Sequence, residues 1–394
     1  MVLDLAILAL SALVIVAMAH PRLRARASWR AMITPLASII GSGFLVLGPI
    51  LDLRFGYWAP LAMALLCLVA WWFGAAIRSS IAVIASGHDP APGWLEETAD
   101  AALAFAYVIS VTYYLNLFGA FAVSLTPWDG QTSARLVTSA ALVFVAAAGW
   151  SGGFRALERI EYGSVTLKLA IIAGLLLGLA WQFGRDVSAG ALHIVPPGLG
   201  LWDSLRLGFG LIVTVQGFET ARYMGDEYDA PTRIRAMKQA QWLSSGIYMV
   251  YVCLLIWLFA PDQVQLSETA IIGMMKLVSP LLPALLVVAA LAAQFSAAIA
   301  DTGGAGGLVT ELSRKRISPR QAYLVLVAAG IGLTWTSDIF SIISYASRAF
   351  AGYYALQAAL AALRVGPGPR RIGYWALAVL GAAITVLGTP AEGN

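Results

Sequence analysis

Ile39-Ile40-Gly41-Ser42-Gly43-Phe44 stands in the middle of an apolar run, 31–51, and its reading decides the fold. Two glycines flanking a serine weaken a helix. Unwinding at that depth would expose backbone N–H groups near the bilayer midplane, where they attract an anion such as a carboxylate. The same Gly-x-Gly also suits a plainer use, the close approach of neighbouring helices. Spacing alone leaves both uses open.

Working outward, the surroundings of this stretch are those of a membrane protein. Of the 394 residues, 60% are hydrophobic and 12% charged, against roughly 25% charged in an average soluble domain. The apolar residues fall into runs of roughly 18–25, the length that crosses a ~30 Å hydrocarbon layer. Twelve segments are expected, at about 2–19, 31–51, 57–77, 97–125, 134–150, 162–183, 202–224, 240–260, 276–311, 321–336, 338–363 and 372–389. The ninth is long enough to continue as helix beyond the bilayer, and a tight hairpin at Thr336, Ser337 and Asp338 is assumed between the tenth and eleventh.

The formal charge of +4 is a topology signal and not one for nucleic acid, because the basic residues sit in short loops. Arg22, Arg24, Arg26 and Arg30 follow the first run, whereas Asp4 precedes it. That placement favours a retained first helix over a signal peptide cleaved after Ala17-Met18-Ala19. Loops on the side of Arg22–Arg30 outnumber the opposite loops in Arg and Lys by about three to one, which sets that side inside and both termini outside. A bacterial cytoplasmic (inner) membrane is the expected setting. Cys67 and Cys253 lie inside apolar runs, and His20, His88 and His193 are scattered, so no disulfide framework, metal site or cofactor is indicated. No Gly-x-Ser-x-Gly elbow and no P-loop occurs, so the expectation is a protein that is not an enzyme.

A second interruption lies at Val215-Gln216-Gly217-Phe218-Glu219-Thr220 in the seventh run. Here a glycine stands beside an amide and a carboxylate at depth, and intramembrane carboxylates normally face a cavity or a partner. Solvation near the helix end, or pairing with Arg222, would equally account for Glu219. Five segments separate the two interruptions, as two inverted halves of five helices would require.

At this point the chain resembles the amino acid/polyamine/organocation permeases. Ile39 to Leu47 resembles that family's first-helix signature. Gly217-Phe218-Glu219-Thr220-Ala221, followed by Asp226-Glu227-Tyr228-Asp229-Ala230-Pro231-Thr232-Arg233, resembles its sixth-helix signature, with Ala230 where the family shows Asn. The resemblance implies an all-α polytopic membrane protein with a 5+5 inverted repeat of the leucine-transporter class. It would form a single transmembrane domain over 1–394. Within it 1–30 would be an extra helix and basic loop, 31–185 and 200–364 the two repeats, and 372–389 a peripheral helix. Discontinuous first and sixth core helices would hold a substrate between them. Gly41, Ser42 and Gly43 would offer N–H groups to its carboxylate, carbonyls around Val215 and Gln216 would receive its ammonium, and Ile40, Gly217 and Phe218 would complete the binding site.

Lys168, in Val165-Thr166-Leu167-Lys168-Leu169-Ala170, either snorkels to the nearby basic end or needs a partner. The resemblance implies that its ammonium takes the place of a sodium ion and, with Glu219, serves proton coupling. Asp301 and Arg348 are further charges in apolar runs, and a Lys168–Asp301 or an Asp301–Arg348 pair would make them tolerable. The chain departs from the family at Thr302-Gly303, where Ser-Arg is common, and the cluster Gly303-Gly304-Ala305-Gly306-Gly307 predicts local flexibility. Tyr113, Tyr114, Phe218 and Tyr345 are candidates to close over a substrate.

The expected function is therefore secondary active transport of an amino acid or related amine by alternating access, proton-coupled and sodium-independent. Its partners would be that small molecule, protons and the lipid bilayer, with no nucleic acid, and a homo-oligomer stays open. A membrane sensor or scaffold without flux, and an ion (potassium) carrier of the same fold, are the alternatives.

Overall fold

The computed structural model describes residues 2–41, 43–87, 91–151, 154–225 and 227–391, and of 154–161 the backbone alone. Ser42, His88 and Asp226 thus lie outside the described residues, as do the side chains of Arg155 and Arg159. The described residues form helices in chain order. They are α1 (Val2–Ala19), α2 (Pro21–Arg24), α3 (Ala27–Ile39), α4 (Gly43–Phe55), α5 (Ala59–Ala85), α6 (Gly93–Val123), α7 (Gln131–Trp150) and α8 (Phe154–Ala189). Next come α9 (Leu201–Gly210), α10 (Ala230–Leu255), α11 (Ala270–Val278), α12 (Leu282–Leu312), α13 (Pro319–Thr336), α14 (Ile339–Arg364) and α15 (Pro369–Leu387). By length and composition, seven helical stretches among the described residues are apolar enough to cross a membrane, among them α1, α6, α12 and the Tyr162–Ala189 part of α8.

Two segments are broken where the glycines stand. α3 stops at Ile39 and α4 starts at Gly43. α9 stops at Gly210 and gives way to 3-10 turns at Ile212–Val215 and Phe218–Tyr223. Between those turns Gln216 is extended and Gly217 has φ 111°, a left-handed geometry that favours glycine. Elsewhere the ends follow ordinary capping chemistry. The Asp229 carboxylate accepts from Thr232 N (3.0 Å) at the start of α10, and Asp338 accepts from Ser341 N (2.8 Å) at the start of α14. The hairpin at Thr336, Ser337 and Asp338 is present, with Ser337 extended.

Two expectations are corrected. The apolar run 276–311 is not one helix. α11 ends at Val278, Ser279 is extended, and Pro283 opens α12, a boundary that hydropathy does not mark because both sides are equally apolar. The glycines 303–307 lie inside a continuous α12. A Cβ on Gly304 would stand 2.9 Å from Tyr107 Cε2, and Gly306 lies as tightly under the Tyr323 ring. Gly304 and Gly306 admit aromatic rings, and none of the glycines in this cluster interrupts the helix.

α1 is packed into the molecule along α8. A Cβ on Gly174 would stand 2.9 Å from Ile7 Cγ2. The Ser279 hydroxyl donates to Asp4 Oδ1 (2.6 Å) at one end of α1, and the Tyr162 hydroxyl to Met18 O (2.6 Å) at the other.

Candidate functional site

A broken helix leaves the last carbonyls of one half and the first N–H groups of the other without intrahelical partners. At the first break the carbonyls are met by a cation. Lys168, 1% exposed, donates from Nζ to Ala37 O (2.6 Å) and Ile40 O (2.7 Å). A cation belongs there, since the C-terminal end of a helix carries partial negative charge. Lys168 does not snorkel; its ammonium turns inward to the break. The N–H end of α4 abuts the second break so closely that a Cβ on Gly43 would stand 2.7 Å from Thr214 Cα.

The second break is met by an anion and by hydroxyls. Glu219, fully buried, accepts through Oε2 from Gly217 N (2.9 Å) and from the Tyr354 hydroxyl (2.7 Å). Its Oε1 has no hydrogen-bond partner among the described residues. Gln216 donates from Nε2 to the Tyr114 hydroxyl (3.0 Å), and its Oε1 is likewise unpartnered. α14 patches the backbone from outside: Ser347 Oγ donates to Gly210 O (2.7 Å) and accepts from Val213 N (3.1 Å). The Tyr248 hydroxyl lies 2.7 Å from Ile39 O and 2.8 Å from Thr214 O, sharing one proton between the two breaks. A Cβ on Gly217 would stand 2.6 Å from Ser38 Cβ. The breaks therefore touch, and the glycines are what permit it.

Toward the end of the molecule that carries Arg22–Arg30, the site is shut by polar layers. The Tyr223 hydroxyl donates to Asp100 Oδ1 (3.1 Å) and lies 3.3 Å from the Tyr353 hydroxyl. Beyond it, Glu96 of α6 is paired with both Arg222 and Arg364 (2.8 Å to the latter), and Arg222 also bonds Gln357 of α14. Three separate segments are tied there by one carboxylate. Arg222, a sequence candidate to neutralise Glu219, is committed to this layer.

The remaining candidates divide. Ile40, Gly41, Gly43, Val215, Gln216, Gly217, Phe218, Lys168 and Glu219 come together at the breaks. Phe218 stacks on Tyr354 (centroids 5.1 Å apart, 17° between planes), and Tyr113 and Tyr114 are buried nearby. Asp301 is buried on α12 and accepts from the Ser110 hydroxyl of α6. The expected Asp301–Arg348 pair is not made. Arg348 is exposed on the other face of α14, where its Nε donates to Thr385 O of α15 (2.7 Å). Tyr345, 41% exposed, points away from the site. Among the described residues no group of three or more His, Cys, Asp or Glu side chains is arranged to hold a metal ion. Sequence reading missed Tyr248, Tyr354, Ser347 and Glu96; their only signal was polarity inside or beside an apolar run.

Residues 21–388 match the family model of the APC superfamily transporters. The chain is 38% identical over 356 residues to an uncharacterized protein of Aquifex aeolicus (strain VF5), covering 86% of this chain and 85% of that protein. Its fold is similar to that of Mhp1, a nucleobase-cation-symport-1 family transporter, in a closed conformation with bromovinylhydantoin bound. The TM-score is 0.57 at 13% identity, over 91% of this chain and 92% of that one. At that identity the likeness is one of fold: the leucine-transporter class of helical membrane proteins.

Proposed function

The chain belongs to the APC superfamily of transporters, and from that premise we propose that it carries an amino acid or related amine by alternating access, driven by protons and without sodium. The observation that carries this reading is the pair of unpartnered acceptors, Gln216 Oε1 and Glu219 Oε1, buried at the junction of the breaks. Buried acceptors without donors are costly unless a ligand supplies them, and an ammonium supplies up to three. The N–H end of α4 is the matching place for a carboxylate.

Lys168 supports independence from sodium, because its ammonium already satisfies carbonyls at the first break. Loss of its proton would remove the charge that strengthens both bonds and so loosen the junction, which gives a proton a way to act on the site. Glu219, bonded to Gly217 at the second break, is the other group placed to do so. The layer of Arg222, Glu96 and Arg364 closes one end of the path, so this end opens only if Glu96 parts from at least one arginine. The bias of basic loops supports placing that end in the cytoplasm of a bacterium, with both termini outside and the two repeats at 31–185 and 200–364.

The deciding measurement is uptake of labelled amino acids, amines and hydantoins into proteoliposomes, with and without an inward proton gradient, beside Lys168→Ala. Gradient-stimulated uptake of an amine-bearing solute, diminished in the variant, is the expected result. Uptake equal in both proteins removes the coupling role of Lys168. Ion flux indifferent to every solute makes the chain an ion carrier, and binding without uptake makes it a sensor.

A further inference from the structure

Asp52 stands on α4, about 13 Å along the helix from Gly43 at nine residues' remove, and nothing at the substrate junction uses it. It is 2% exposed, and among the described residues neither carboxylate oxygen has a hydrogen-bond partner. Four residues earlier on the same helix face, Gly48 lies against α10: a Cβ there would stand 2.7 Å from Tyr251 Cζ. The Tyr251 side chain is fully buried, its ring lies tilted against Phe44 with centroids 4.4 Å apart and 38° between planes, and its hydroxyl also has no hydrogen-bond partner among the described residues. Two unpartnered polar side chains are thus buried beside the α4–α10 contact, Tyr251 at Gly48 and Asp52 one turn further along α4.

Other charges near α4 are occupied elsewhere. Arg54 donates to Ala391 O (3.2 Å). Lys276, the charge on α11, is exposed, and Glu268 ahead of α11 lines a separate cleft with Arg135 and Ser337. α5 carries no charge before Arg78, which is bonded to Gln241. The 3-10 turn Ile212–Val215 brings only Thr214, whose hydroxyl donates to Leu211 O (2.6 Å).

An ionised carboxylate without donors costs several kcal/mol in such surroundings, and an intramembrane acid with no structural partner is a site before it is a scaffold. We propose that Asp52, one turn along α4 from the Gly48–Tyr251 contact, is a proton-binding site: its carboxyl holds a proton in the closed arrangement and releases it when α4 parts from α10. Release breaks the carboxyl O–H bond, leaves the electron pair on Asp52 and passes the proton to water. The site communicates with the substrate junction by two routes. α4 begins at the first break, and Tyr248, one turn before Tyr251 on α10, bonds to carbonyls of both breaks. This proposal rests on the transport reading but adds a carrier distinct from Lys168 and Glu219.

The test compares Asp52→Asn, a neutral near-isostere of the protonated carboxyl, with the wild-type protein in two assays. In detergent, thermal stability is followed between about pH 5 and pH 8, the range in which a proton carrier must work. A proton bound to folded Asp52 makes the wild type lose stability relative to D52N as pH rises. In proteoliposomes, the labelled panel is offered with an inward proton gradient and, separately, in counterflow at equal pH. D52N is expected to lose about tenfold in accumulation per unit of pH gradient, the ratio one carried proton sustains, while counterflow persists. Equal pH slopes in the two proteins overturn the proposal, as does accumulation left intact in D52N. Stabilisation of the wild type, but not of D52N, by sodium or potassium at fixed pH also overturns it, by making this a metal-cation site. If the wild type takes up nothing, the transport reading fails, yet the stability comparison still decides whether Asp52 binds a proton. Should D52N fail to fold, Tyr251→Phe carries the test: a shifted midpoint in the pH dependence supports the site, and an unmoved one overturns it.

Discussion

The two helix breaks pose the same physical problem and are answered with opposite charges. At the first, exposed carbonyls of α3 receive the Lys168 ammonium. At the second, an exposed N–H at Gly217 receives the Glu219 carboxylate. Each charge sits where the dipole of the adjoining helix end favours it, and a single neutral hydroxyl, that of Tyr248, bridges the two. The contrast teaches that an unwound segment at depth is held by whatever complements its own backbone. A basic and an acidic side chain thus each answer the backbone of a different break.

That contrast can be broken from either side. Lys168→Met removes two charge-assisted bonds and leaves buried carbonyls exposed to no donor, so a loss on the order of 3 kcal/mol is expected. Thermal unfolding in detergent reads it, and a variant as stable as the wild type would mean that charge does not hold the first break. Gly217→Ala forces a side chain into left-handed backbone and against Ser38. We expect it to cost about 2–3 kcal/mol, with uptake lost; normal uptake would show that the close contact of the breaks is dispensable. Glu219→Gln keeps an acceptor for Gly217 N and Tyr354 but removes the charge. Its expected cost is about 1–2 kcal/mol, with the pH dependence of uptake altered more than its rate at the optimum. An unaltered pH profile would confine Glu219 to a structural part. Tyr248→Phe is the mildest, about 1 kcal/mol, and should shift substrate affinity more than folding, because only the bridge between the breaks is removed.

The breaks themselves were legible in the sequence. Gly41 and Gly43, and Gly217 beside Glu219, interrupt runs that are otherwise uniformly apolar, and glycine at such depth has few uses. Lys168 was legible for the same reason, as a charge where charge is expensive. The partners were not. Tyr248, Tyr354 and Ser347 belong to other helices and look like ordinary residues of a membrane core, since a hydroxyl is tolerated on many faces. α14 is apolar nearly all round, so its sequence does not show that Ser347 faces the break while Arg348, the next residue, faces α15. Asp52 escaped notice through a boundary: the run 31–51 ends one residue before it, whereas α4 continues to Phe55. Where a helix stops depends on its caps and neighbours, and hydropathy reports neither.

The first helix has a mechanical consequence. α1 is fastened near each end, through Asp4 to Ser279 and through Met18 to Tyr162, and its middle is bedded on the small residues of α8. α8 is also the helix that delivers Lys168 to the first break. Any tilt of α8 must drag α1 with it or shear those fastenings. A spectroscopic label fixed on α1 is therefore expected to report any tilt of α8, and with it any movement of Lys168 at the buried first break.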